Sequence, residues 1–138
     1  MESNQNSQNQ NDTSNIFGEV IYSYTRADAL TDGQLVDVST TAREAGYRYH
    51  FAVTRALWDV LEIIPSHTPW QDLEGRLWDC LMVGRMEIKK APEGVSRLTF
   101  EVILSVEGSK RKYQTICLDI GPGDNAEPVF TMGFTEDF

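Results

Sequence analysis

The chain has 138 residues, a formal charge of −9 and only two cysteines. That length suits one domain whose core needs no disulfide staples, and no apolar run approaches the roughly 20 residues of a membrane-spanning helix. The acidic balance opposes a phosphate backbone, so direct binding of nucleic acid is disfavoured.

Residues 1–15 are almost wholly Asn, Gln, Ser, Thr, Asp and Glu, with no apolar residue after Met1. Such a stretch cannot bury enough surface to offset its ordering entropy, and it is expected to be a disordered polar tail. It lacks the basic start and apolar stretch of a secretory signal, which implies a cytoplasmic protein. Glu2 and Asp12 belong to this tail, leaving −7 for a single domain expected over residues 16–138.

Val20 to Tyr24, β-branched and aromatic, predicts a short strand. Thr25-Arg-Ala-Asp28 has the spacing of a capping box and opens a helical turn that Gly33 closes. Leu35 to Val38 is expected to be extended. Ser39 or Thr41 is expected to cap a short helix through Arg43 and Glu44, stopped at Gly46. Thr54 caps a better helix, with Leu57, Val60, Leu61 and Ile64 on one stripe, and Pro65 ends it. The longest helix runs from about Asp72 to Lys90, with acids at its start and lysines at its end, both favourable to its dipole. Gly84 within it costs about 1 kcal/mol relative to Ala, and leaves room for close approach of another element.

Leu98, Phe100, Val102, Leu104 and Val106 alternate strictly and predict a strand. Tyr113 to Ile120 is a second, and Val129 to Phe134 a third. The expected architecture is α+β: an antiparallel sheet of three to four strands, with two main helices and short N-terminal helical turns packed on one face.

No cofactor or metal signature stands out. Cys80 and Cys117 lie in apolar patterns and read as buried hydrophobes, and with His50 and His67 they make no metal-ligand spacing. Gly121-Pro-Gly-Asp124 joins two strands and lacks the lysine of a phosphate loop, so it reads as a hairpin turn. Lys110-Arg111-Lys112 reads as a solvated hairpin tip. Asp28, Asp32 and Asp37 are closely spaced acids, candidates for binding a divalent cation or for acid–base work. Their spacing is not that of a calcium loop, and capping and turn roles account for two of them; Arg26, Asp28, Asp32 and Arg43 form the candidate carboxylate–arginine set. Arg76 and Asp79, three apart on one helix, are expected to pair. Trp58, Trp70 and Trp78 with Arg76 read as core, or alternatively as an aromatic and arginine interface anchor.

Five ordered segments carry a resemblance: Tyr24-Thr-Arg-Ala-Asp-Ala-Leu, Asp32-Gly-Gln-Leu-Val-Asp-Val-Ser, Ala42-Arg-Glu-Ala-Gly, Gly75-Arg-Leu-Trp-Asp, and Gly121-Pro-Gly-Asp with Glu127-Pro-Val. Together they resemble an uncharacterised domain family carried on bacterial plasmids, conjugative elements and phages. The resemblance implies an accessory protein of a mobile element and assigns no catalytic residue. By analogy with other small acidic proteins of that setting, it suggests an anti-restriction or anti-CRISPR inhibitor.

The expected function is therefore that of a non-enzymatic binder of a basic protein partner, such as a host-defence protein. Its acidic surface is expected at Asp119, Asp124, Glu127, Glu136 and Asp137, with Trp70, Arg76 and Trp78 as a possible apolar anchor. The alternative is an enzyme using Arg26, Asp28, Asp32 or Arg43.

Overall fold

The computed structural model describes residues 23–138. The expected tail and Val20 to Tyr22 of the expected first strand lie outside the described residues, while Ser23 and Tyr24 are irregular backbone. The chain then forms α1 (Arg26–Asp32), β1 (Leu35–Asp37), α2 (Ser39–Glu44), β2 (His50–Thr54), α3 (Arg55–Glu62) and α4 (Leu73–Lys90). It continues as β3 (Arg97–Ile103), β4 (Tyr113–Pro122), β5 (Pro128–Phe134) and a 3-10 turn at Thr135–Asp137.

Local chemistry explains most boundaries. Thr25 and Asp28 close the capping box of α1, and Gly33 ends the helix at φ 87°, a conformation that costs Gly little. Thr54 and Asp72 accept hydrogen bonds from Leu57 N and Gly75 N and so cap α3 and α4. The start of α2 differs from the sequence expectation. Its cap residue is Val38, and Asp37 accepts from the Ser39 amide at 2.9 Å, so neither Ser39 nor Thr41 is the cap.

The sheet is mixed and five-stranded, in the order β1-β2-β5-β4-β3, rather than antiparallel with three or four strands. The strand absent from the sequence reading is β2, which pairs antiparallel with β1 and parallel with β5. Phe51, Ala52, Val53 and Thr54 are all buried, so this strand shows no in–out alternation.

One register row, Val36, Val53, Met132, Leu118 and Leu98, faces the core under α2, α3 and α4. Phe51, Leu57, Leu61, Leu81 and Ile116 fill that core completely shielded from solvent. Gly84 lets α4 pack tightly against its neighbours: a Cβ there would stand 2.9 Å from the Tyr47 hydroxyl and 3.0 Å from Met132 Cε. The adjacent row, Asp37, Ala52, Thr131, Asp119 and Arg97, points to the opposite face.

The helices are not all on one face. Arg26 of α1 donates to Thr131 Oγ1 at 2.6 Å, which places the start of this helix over the polar row. Its one buried residue, Ala29, stands outside the main core cluster.

Candidate functional site

The carboxylate–arginine set of the sequence reading is dispersed. Asp28 belongs to the capping box, and Asp32 accepts from the Tyr24 hydroxyl and the Gln34 amide. Arg43 lies exposed in the last turn of α2, a different helix from Arg26. Arg26 instead reaches across the polar sheet face, donating to Thr131 Oγ1 and to Phe130 O at 2.7 Å, with His50 Nδ1 at 3.4 Å. Its Nε is buried and has no hydrogen-bond partner. Burial lowers the Arg26 pKa, opposed by the fields of Asp124, Asp37, Glu127 and Asp119.

His50 Nε2 lies 3.3 Å from Asp37 Oδ2. Each ring nitrogen of His50 thus faces a polar neighbour, Arg26 at Nδ1 and Asp37 at Nε2. Ser39 Oγ is held by the Phe51 backbone, accepting from its amide at 2.9 Å, so it is not paired with this imidazole. Burial raises the Asp37 pKa, but hydrogen bonds from Ser39 and the charge and hydrogen bond of His50 outweigh it, and the net direction is downward. The thiols of Cys80 and Cys117 are both buried, and burial pushes Cys80 up to about 12, as expected of inert cysteines.

The acids of the last third have internal partners. Asp124 accepts from the amides of Arg26 and Ala27 at 2.9 and 3.0 Å, pinning the β4–β5 turn to the start of α1. Asp119 pairs with Arg97 at 3.0 Å. Asp137 accepts from Thr54 Oγ1 and from the Phe134 amide, both at 2.8 Å. Glu127 accepts from the Asn125 amide and Glu136 from the Thr135 hydroxyl. Asp124 and Asp137 flank opposite ends of β5, so these residues do not form one patch.

Nor do Trp70, Arg76 and Trp78 form one surface anchor. Trp70 is 76% exposed in the α3–α4 loop, whereas Arg76 is 3% exposed. Arg76 does not turn outward to Asp79; it donates to the carbonyls of Val60, Leu61 and Ser105 and to Gln71 Oε1. Those first two carbonyls belong to the last turn of α3, which has no basic residue of its own, so Arg76 serves as its C-terminal cap.

A different acidic site emerges between α2 and the first turns of α4. Two adjoining depressions of about 530 and 430 Å³ share Thr41, Asp72 and Glu74. Glu44, Asp72, Glu74 and Asp79 line this groove, as does Asp37, whose carboxylate is engaged by the Ser39 amide and His50. Trp58 lines one depression and Trp78 the other, with Leu73 and Leu77 beside Trp58. No Lys, Arg or His is among the lining residues. Glu44, Glu74 and Asp79 have no ion-pair partner among the described residues. The start of α4 carries a partial positive charge, which Asp72 and Glu74 more than offset. Among the described residues no group of three or more His, Cys, Asp or Glu side chains is arranged to hold a metal ion.

The available sequence signal for this groove was the run of acids at 72, 74 and 79 beside Trp78; α2 was needed to supply the other wall. Among the described residues no helix is long and apolar enough to cross a membrane. A family model described as a family of unknown function, DUF6573, matches residues 13–138. No curated protein matches the chain, and no solved structure does.

Proposed function

We propose that this chain, which belongs to the DUF6573 family of unknown function, is a non-enzymatic protein-binding factor that takes a basic segment of its partner into the groove between α2 and α4. The observation that carries this reading is the composition of the groove: the acids Glu44, Asp72, Glu74 and Asp79 and two tryptophans, with no Lys, Arg or His among the lining residues. An exposed ion pair contributes only about 0–1 kcal/mol, so the carboxylates act mainly by steering the partner and setting its register. Trp78, 37% exposed, adds a face on which an arginine or lysine can lie. The alternative carboxylate–arginine enzyme has weaker support, because Arg26, Asp28 and Asp32 are committed to internal hydrogen bonds.

The mobile-element setting implied by the sequence resemblance makes a basic host-defence protein the partner to try before others. The reading is tested with a fluorescein-labelled arginine-rich peptide. Binding should weaken steeply with salt and should fall in Trp78→Ala. Binding that is indifferent to both changes contradicts the proposal.

A further inference from the structure

The hairpin between β3 and β4 carries Lys110, Arg111 and Lys112, all exposed. Among the described residues none of the three has an ion-pair partner, while Arg55, Lys90 and Arg97 each pair with a nearby acid. The groove acids Glu44, Glu74 and Asp79 are equally without a cation. The chain therefore leaves two uncompensated clusters of opposite sign on its own surface.

Both clusters stand at the same end of the fold. The hairpin is fastened beside the start of α4, where Arg76 donates to Ser105 O at 3.0 Å and Glu107 accepts from the Ser66 amide at 2.7 Å. The groove opens along Glu74, Gly75 and Trp78 of the same helix, toward α2. The tip itself is held in shape: Gly108 supplies a φ of 79°, and Ser109 accepts from the Arg111 amide.

We infer that the groove's occupant in the protein by itself is a second copy of this chain, whose Lys110–Lys112 tip enters the groove while its own groove receives the first copy's tip. One chain carrying both halves of a complementary pair is what a twofold, reciprocal contact requires. The contact rests on the groove being a site for basic segments, and it adds regulation to that site: a partner must displace the second copy to bind.

The test is sedimentation velocity on the full chain over a concentration series, in low and in high salt. The wild type should dimerise reversibly in low salt and dissociate in high salt, since screening weakens exposed charge pairs. Two charge-swapped variants separate the halves: Lys110→Glu with Arg111→Glu and Lys112→Glu at the tip, and Glu44→Lys with Glu74→Lys and Asp79→Lys in the groove. Each alone should be monomeric, because its tip and groove then repel. Mixed in equal amounts they should form a heterodimer, which also shows that both still fold. A wild type that stays monomeric throughout the low-salt series overturns the inference, as does a dimer that ignores both sets of substitutions, or a mixture that fails to associate. The tip variant, with its groove open, is also titrated with the labelled arginine-rich peptide. Peptide binding without dimerisation would sink the second-copy occupant and leave the proposed function standing, while failure of both sinks both.

Discussion

The molecule holds two sets of acids that the same chemistry treats differently. Those on and around β4 and β5 are integrated into the fold: Asp124 anchors α1, Asp119 pairs with Arg97, and Asp137 ties the last turn to Thr54. Those of the groove line a depression with no base in its wall. The difference teaches that an acidic composition does not mark a binding surface by itself. What separates the two sets is the ion pairs and long-range hydrogen bonds of the first: Asp72 accepts only locally, from the Gly75 amide, and Glu44, Glu74 and Asp79 have no ion-pair partner among the described residues. Asp37 belongs to both, paired with His50 on one side and lining the groove on the other.

Substitutions can break or sharpen this contrast. The largest expected effect falls on the scaffold that holds both regions: Leu81→Ala, fully buried on the core side of α4, should cost about 2–5 kcal/mol in denaturant unfolding. Gly84→Ala should cost about 1–3 kcal/mol, because its Cβ meets Tyr47 and Met132 in a filled core. Asp124→Ala should cost about 0.5–2 kcal/mol, as loss of a helix-start acceptor does elsewhere. Glu74→Ala, in the groove, should change stability by no more than about 0.5 kcal/mol. If Glu74→Ala proved as costly as Asp124→Ala, the two sets would not differ in kind.

Asp37 gives the contrast a pH dependence. Its carboxyl is held below its ordinary value of 3.8, so it stabilises the fold at higher pH. That contribution is lost as pH falls through the depressed value, where the folded state takes up the proton that the unfolded chain already holds. Asp37→Asn should therefore flatten the acid limb of the melting-temperature profile and leave the neutral region nearly parallel to wild type.

Much of the local structure was legible in the sequence. The cap residues Thr25 and Thr54 and the glycine stop at Gly33 could be read because capping is a matter of a few adjacent residues, whereas Asp72 was legible as a dipole partner and not as the cap it is. The alternation of Leu98, Phe100 and Val102 marked β3 for the same reason. β2 left no such trace, since a strand buried on both faces shows no period, and its parallel pairing with β5 joins residues far apart in the chain. Arg76 misled through its spacing to Asp79: the stronger demand came from unsatisfied carbonyls at the end of α3, invisible until the two helices are packed. The groove was illegible for a related reason. Asp72 and Glu74 read as dipole partners at a helix start, and only the fold brings them into one groove with Glu44.

The central claim is that the groove acids, and not those of the last third, recognise a basic segment. The most direct measurement compares binding of one labelled arginine-rich peptide by three proteins in low salt: wild type, Glu44→Lys with Glu74→Lys and Asp79→Lys, and Glu127→Lys with Glu136→Lys. The groove variant should bind about tenfold more weakly or worse, chiefly through a slower on-rate, while the Glu127 and Glu136 variant stays close to wild type. Equal loss in both variants, or no loss in the groove variant, would contradict the assignment of the binding surface to the groove.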